Sequence, residues 1–184
     1  MNQTPHHRRH FLRQGSRIAA TLALPALAGQ ARAALAPERS LALKHLHTQE
    51  SLDLVYARAS SYLPPALQSL DRLLRDHHSG EVGRMDPLLF DLLHRLRQRL
   101  AWSGGYEVIS GYRAPATNQH LKATRGGGVA RQSLHMVGKA IDVRLPGVAL
   151  ADLRDAALSL QLGGVGYYPR ENFVHVDTGR VRAW

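Results

Sequence analysis

Two separated stretches carry the residues whose types and spacing suggest chemistry. Residues 133–143 contain His135 and, seven positions later, Asp142, and residues 173–177 contain His175. Two imidazoles and one carboxylate are the three protein ligands of many catalytic zinc sites, which keep a fourth position for water. We therefore predict that His135, Asp142 and His175 bind a zinc ion. Because the chain contains eleven histidines, the alternative is that these imidazoles are ordinary surface or core residues.

The local sequence indicates how these side chains are presented. Gly138 allows the chain to turn tightly after His135, and residues 140–143 then continue as a β-rich segment. Side chains alternate between the two faces of a strand, so His175 and Asp177 should lie on the same face. Asp177 is therefore predicted beside a metal ligand, as the general base of a hydrolysis or as a group that orients the imidazole.

The motifs around these residues resemble a known superfamily. The pattern Ser-x-His-x-x-Gly-x-Ala-x-Asp starts at Ser133, Ile-Ser-Gly-Tyr-Arg occupies 109–113, and Gly-Val-Gly-Tyr-Tyr occupies 164–168. Together they resemble the zinc D-alanyl-D-alanine metallopeptidases, and within them the murein endopeptidase K branch, from about residue 40 to 184. The resemblance implies a zinc-dependent hydrolase of peptide cross-links in peptidoglycan.

The same resemblance implies roles for residues around the metal. Arg113 matches the arginine of the Ser-Gly-Tyr-Arg motif, which would bind the substrate carbonyl or the developing oxyanion; a structural ion pair is the alternative. Ser133 matches a serine near the substrate amine. Gln132 and Asn118 are predicted to line the cleft.

The general base departs from the pattern of the relatives. Some branches place an acid three positions before the last histidine ligand and others a histidine two positions before it, but here those positions are Asn172 and Phe173. We therefore assign Asp177 as the base, with Glu171 as the alternative in a turn whose direction the sequence does not fix. The missing upstream base leaves open a non-catalytic, zinc-containing module that binds the cell wall.

The N-terminal residues 1–33 have the features of an export signal. The twin arginine Arg8-Arg9, an apolar run over 18–29 and the small-x-small Ala31-Arg32-Ala33 predict a twin-arginine signal cleaved after Ala33, and hence a periplasmic protein. The apolar run is too short for a membrane span. The alternative is a basic arm that contacts nucleic acid or a membrane surface.

Composition limits the remaining function classes. The formal charge is +10, but residues 1–33 contribute five arginines and no acid, so residues 34–184 carry only +5. This mild charge suits an anionic polymer such as a cell wall. Aromatic residues make up 6% of the chain, which speaks against nucleic acid, and the absence of Cys excludes disulfides and thiolate ligands. The oligomeric state is left open.

Length and pattern predict one domain over 34–184 of the α+β class, with a small, mainly antiparallel sheet, helices on one side and the zinc site on the sheet. His45 and His47 are predicted as solvated strand or turn residues and His77-His78 as a turn. Residues 122–131 are basic and glycine-rich, typical of a long mobile loop. The predicted elements are a β-hairpin over 40–56, helices over 64–76, 87–102 and 149–160, a short helix at Thr117, and strands over 106–110, 165–168 and around His175.

Overall fold

The computed structural model describes residue 1, residues 37–124 and residues 130–184. The predicted signal peptide, apart from residue 1, and residues 125–129 of the glycine-rich loop lie outside the described residues and remain predictions. The prediction that this loop begins at residue 122 is wrong, because the preceding helix continues to Thr124. Leu35–Trp184 form one compact unit.

One eight-stranded sheet forms the framework, with the strand order β3-β2-β1-β4-β5-β7-β6-β8. Its strands are β1 (Glu38–His45), β2 (Ser51–Arg58), β3 (Ser61–Tyr62), β4 (Tyr106–Ser110), β5 (Ala140–Arg144), β6 (Gly164–Tyr168), β7 (Phe173–Asp177) and β8 (Arg182–Ala183). The helices are α1 (Pro64–Leu73), α2 (Pro87–Arg99), α3 (Pro115–Thr124) and α4 (Leu150–Leu160), with a 3-10 turn over Leu134–Val137.

The α+β class is confirmed, but the small, mainly antiparallel sheet is corrected to a larger, mixed one. The hairpin β1–β2 is antiparallel, whereas β1 pairs with β4 in parallel and β6 pairs with β8 in parallel. After β2 the chain forms the short edge strand β3 and then α1 and α2, and it returns as β4 beside β1 in the same direction. A long crossover of this kind produces parallel pairing, which local patterns do not reveal.

The two faces of the central strands carry different kinds of side chain. Ile141 and Val143 of β5 and Val174 and Val176 of β7 are fully buried in the hydrophobic core, where α2 and α4 pack against the sheet. Because side chains alternate along a strand, Asp142 and the odd-numbered residues of β7 point to the opposite face. The helices therefore cover the apolar face of these strands, and the polar side chains lie on the other face, away from the core.

Helix α2 begins where the sequence predicts. Asp86 precedes it and its carboxylate accepts a hydrogen bond from the Leu88 amide, and Pro87 occupies the first helical position. This combination caps an otherwise unpaired amide and fixes the first backbone angle of the helix.

The prediction that His45 is solvated is wrong. Its side chain is fully buried at the end of β1, and its Nδ1 accepts hydrogen bonds from the amides of His47 and Thr48. Leu41 and Leu43 are buried on the same face, so the alternation of the strand carries His45 inward as the next member of the series.

No helix in the described part of the chain is long and apolar enough to span a membrane.

Candidate active site

The structure brings His135, Asp142 and His175 together on one face of the sheet. The Nε2 atom of His135 lies 3.2 Å from the Nδ1 atom of His175. The Oδ1 atom of Asp142 lies 2.8 Å from Nδ1 of His175 and 3.3 Å from Nε2 of His135. The three residues are buried, with 3%, 6% and 8% of their surface exposed.

Strand register explains the proximity of Asp142 and His175. These residues are direct partners in the antiparallel pair β5–β7, and opposite side chains on one face of such a pair lie about 5 Å apart at Cβ. A separation of 33 residues along the chain therefore becomes a single step across the sheet.

A short turn delivers His135 to the same place. Ser133 caps the 3-10 turn, its hydroxyl accepting from the amide of His135, and Gly138 ends the turn with a left-handed φ of 67°. A Cβ at Gly138 would collide with the carbonyl oxygen of Arg84. Only glycine combines this backbone angle with this close approach, and the chain then enters β5.

Hydrogen bonds fix which nitrogen of each imidazole faces the centre. Nδ1 of His135 lies 2.7 Å from the carbonyl oxygen of Gly111, which can only accept, so Nδ1 carries the proton. Nε2 of His175 lies 3.1 Å from Oδ2 of Asp177 and donates to that carboxylate. In the neutral imidazoles the lone pairs are then on Nε2 of His135 and Nδ1 of His175, the two atoms that face each other beside Asp142.

This donor set fits a divalent metal ion. Two imidazole lone pairs and a carboxylate oxygen converge, and lone pairs 3.2 Å apart repel each other unless a cation or proton lies between them. Tetrahedral zinc with bonds of about 2.0 Å has ligands about 3.3 Å apart, close to the observed 2.8–3.3 Å. His135, Asp142 and His175 would therefore hold a metal with little rearrangement.

The protonation of the ligands agrees with this reading. Burial alone would raise the pKa of Asp142, but the two facing imidazoles hold it well below its usual range, so the carboxylate is ionised. Burial lowers the pKa of His175, yet its hydrogen bonds to Asp142 and Asp177 outweigh burial and raise it. These carboxylates favour a positive charge on the imidazole, and a bound cation would supply that charge in place of a proton.

Asp177 is enclosed by donors. It is fully buried; besides His175, it accepts hydrogen bonds from the amides of Gly164 and Gly179 at 3.0 and 2.8 Å and from two nitrogens of Arg182 at 2.7 and 3.0 Å. Burial opposes ionisation, but these bonds outweigh it and lower the pKa of Asp177 below its usual range. Asp177 meets His175 at Nε2, on the opposite side of the ring from the metal-facing nitrogen.

Arg113 lies beside the ligand carboxylate. One guanidinium nitrogen is 3.8 Å from Oδ2 of Asp142, and another donates to the side-chain oxygen of Asn118 at 3.4 Å. The backbone amide of Arg113 also donates to the carbonyl of His135 at 3.2 Å. The predicted substrate-binding arginine is therefore tied to two metal ligands, and Asn118 contacts Arg113.

A cavity of about 610 Å³ opens in front of this centre, and the predicted Gln132, Ser133 and Glu171 line it with the ligands. The exposed Glu171 lies in the turn between β6 and β7. Seven further lining residues were not predicted from the sequence: Leu121, Ala130, Leu134, Tyr168, Phe173, Arg182 and Trp184. Strand alternation could have identified Phe173, which shares a face with His175. No local signal identifies Arg182 or Trp184, because β8 is only two residues long and Trp184 follows it.

Comparison with known proteins agrees with this geometry. A family model described as peptidoglycan L,D-endopeptidase MepK matches residues 33–184. The chain is 44% identical over 146 residues to the peptidoglycan L,D-endopeptidase MepK of Escherichia coli K12, covering 79% of this chain and 80% of that protein. It is 42% identical over 147 residues to a probable peptidoglycan L,D-endopeptidase MepK of Haemophilus influenzae, covering 79% and 78%. No solved structure matches the chain significantly. The resemblance to the murein endopeptidase K branch is thereby confirmed.

Proposed function

The chain belongs to the peptidoglycan L,D-endopeptidase MepK family, and from this membership we propose that it hydrolyses L,D cross-links between peptide stems of peptidoglycan with a bound zinc ion. It is a metal-dependent peptidoglycan endopeptidase. The L,D preference follows the names of its relatives, and zinc follows the donor set of two imidazoles and one carboxylate. Because those relatives are named as endopeptidases, a non-catalytic wall-binding module is disfavoured.

The observation that carries the proposal is the convergence of three buried ligand atoms at the floor of a cleft. His135 through Nε2, Asp142 through Oδ1 and His175 through Nδ1 would hold the ion. A bound zinc ion lowers the pKa of its water to about 7 and polarises a carbonyl group, which is the chemistry that amide hydrolysis requires.

We assign the general base to Glu171 and a positioning role to Asp177. The exposed carboxylate of Glu171 lines the cavity, where it can take a proton from water and return one to the leaving amine. Asp177 is fully buried, accepts several hydrogen bonds and contacts His175 on the nitrogen that faces away from the metal. Such a group fixes the tautomer and orientation of a ligand, so the second of the two roles predicted for Asp177 is the better supported.

Arg113 and the polar residues near it divide into binding and positioning groups, of which Asn118 contacts Arg113 without lining the cavity. Arg113 is placed to hold the substrate carbonyl or the oxyanion that develops from it, because its guanidinium lies next to the ligand Asp142. Asn118 steadies that guanidinium. Ser133 and Gln132 line the cavity and offer polar contacts to the peptide stem.

The proposal is tested with defined muropeptide dimers carrying either L,D (3-3) or D,D (4-3) cross-links. Purified protein should cleave the 3-3 dimer, lose that activity with a chelator and regain it with Zn²⁺, with the products identified by mass spectrometry. Preferred cleavage of the 4-3 dimer would contradict the L,D assignment. Binding of dimers without any cleavage would instead indicate a wall-binding module.

We also propose export to the periplasm by the twin-arginine route, on the basis of Arg8-Arg9, the short apolar run and Ala31-Arg32-Ala33. Replacing both arginines by lysine should leave uncleaved precursor in the cytoplasm, as measured by fractionation and mass spectrometry. Normal processing of that variant would contradict the route.

A further inference from the structure

The last strand, β8, reaches the metal centre through one side chain. The guanidinium of Arg182 donates to both oxygens of Asp177, Nη2 to Oδ2 at 2.7 Å and Nη1 to Oδ1 at 3.0 Å. The Oδ2 atom in turn accepts from Nε2 of His175 at 3.1 Å. A continuous series of charge-assisted hydrogen bonds therefore connects β8 with a metal ligand.

Two glycines leave space in the backbone for the ion pair between Asp177 and Arg182. The amides of Gly164 and Gly179 both donate to Oδ1 of Asp177. A Cβ at Gly164 would lie 2.5 Å from Oδ2 of Asp177 and would collide with Arg182, and a Cβ at Gly179 would lie 2.9 Å from Oδ1 of Asp177. Both glycines leave space that the carboxylate and guanidinium fill.

Trp184, which directly follows β8, forms a wall of the cleft. The ring of Trp184 lies 5.2 Å from the ring of His175 and 4.7 Å from the guanidinium carbon of Arg182. Its Nε1 donates to the hydroxyl of Tyr168 at 2.7 Å. A Cβ at Gly166 would lie 2.7 Å from the indole, so this glycine makes room for the ring.

The backbone of Trp184 is held as firmly as its ring. Its amide donates to the carbonyl of Val165 and its carbonyl accepts from the amide of Tyr167. Trp184 is nevertheless half exposed, at 50% of the residue's surface, and it lines the cavity. An aromatic ring that is fixed at its backbone and open on one face is suited to packing against a ligand.

We propose that residues 182–184, β8 and the residue after it, complete the catalytic centre: Arg182 is a positioning residue for His175, acting through Asp177, and Trp184 is a substrate-contacting residue that helps select the cross-linked peptide stem. The Trp184 part of this inference rests on the proposed function, which supplies the substrate. The Arg182 part concerns metal binding alone and can be tested on protein that has no substrate.

Metal affinity tests Arg182. Partners of this kind that orient a ligand contribute about 10- to 100-fold to metal affinity, so Arg182→Gln should raise the Kd for Zn²⁺ about tenfold or more in competition with a chromogenic chelator. Arg182→Lys, which keeps the charge but not the two-pronged contact, should give an intermediate loss. Arg180→Gln, an exposed neighbour, should bind Zn²⁺ as the wild type does.

A double-mutant cycle separates positioning from a general structural role. Asp177→Asn should weaken Zn²⁺ binding to a similar degree, and adding Arg182→Gln to it should cause little further loss, because Arg182 acts through Asp177. If Arg182→Gln lowered the thermal unfolding temperature but left the Kd for Zn²⁺ unchanged, the positioning role would be refuted. Fully additive losses in the double variant would refute the route through Asp177.

Steady-state kinetics test Trp184. Trp184→Ala should raise KM for the cross-linked dimer about five- to tenfold with kcat and the Kd for Zn²⁺ nearly unchanged, and Trp184→Phe should recover most of the loss. Gly166→Ala, whose Cβ would collide with the indole and with the ring of Tyr168, should also raise KM. An unchanged KM in Trp184→Ala would overturn its substrate contact. Failure of the wild type to cleave any dimer would instead contradict the proposed function and leave the result for Arg182 intact.

Discussion

The turn that presents His135 depends on one glycine, and replacing it should cost both stability and metal binding. Gly138 has a φ of 67°, and a Cβ there would collide with the carbonyl oxygen of Arg84 and lie 2.9 Å from Cα of Met85. A left-handed alanine costs about 1–2 kcal/mol on its own, and a clash with backbone that cannot rotate away adds about 1–3 kcal/mol. Gly138→Ala should therefore lower the free energy of unfolding by about 2–5 kcal/mol.

The chain provides a matched control for this prediction. Gly80 has a similar φ of 76°, but a Cβ there meets nothing within 4 Å, so Gly80→Ala should cost only the conformational part, about 1–2 kcal/mol. Urea unfolding in the presence of a chelator compares the two variants without a contribution from bound metal. Equal losses in the two variants would refute the steric reasoning.

The two glycine variants should also differ in their affinity for Zn²⁺. The amide of Asp86 donates to the carbonyl of Gly138 at 2.9 Å, so a displaced turn also pulls on the start of α2. Because His135 lies within this turn, Gly138→Ala should weaken Zn²⁺ binding, measured by chelator competition, while Gly80→Ala should leave it unchanged. Normal zinc affinity in Gly138→Ala would show that the ligand does not depend on the turn.

Three further predictions concern the cleft and the buried histidine. Glu171→Gln should retain Zn²⁺ by elemental analysis but lose about 100-fold or more in kcat; full activity would place the base elsewhere. Arg113→Ala should lose about 100- to 1,000-fold in kcat, whereas a change in KM alone would limit it to uniform binding. Burial, with His47 and Arg75 nearby, lowers the pKa of His45 from 6.5 to about 4, so its contribution to stability is present above pH 6.5 and is lost between pH 6.5 and 4. Between pH 7 and pH 4.5, urea titrations should show that the free energy of unfolding falls by roughly 2 kcal/mol more in the wild type than in His45→Gln. Equal falls in the two proteins would contradict this.

The metal ligands could be predicted from the sequence because each sits in a short, recognisable context. Ser133 and Gly138 frame the turn that carries His135, and the alternation around His175 assigns it a strand face. What the sequence does not contain is the register: the pairing of Asp142 with His175 is a property of two strands, and no pattern within either strand specifies it.

The errors have physical causes of the same kind. The parallel pairing of β1 with β4 spans two helices, and the pairing of β6 with the two-residue β8 has no periodic pattern to indicate it. For His45, the inward alternation begun by Leu41 and Leu43 is visible in the sequence, but the polarity of the imidazole suggested solvent. Burial was decided by the strand, and the polar Nδ1 atom was satisfied by local backbone amides.

The site illustrates why its ligands and its supporting residues must be considered together. Each ligand uses one atom for the centre and is restrained through another: His135 by the carbonyl of Gly111, His175 by Asp177, and Asp142 by the neighbouring guanidinium of Arg113. Burying three such groups is unfavourable unless every polar atom has a partner. These restraints therefore satisfy the buried groups and at the same time aim the remaining three atoms at one point, so that little reorganisation is left for metal binding to drive.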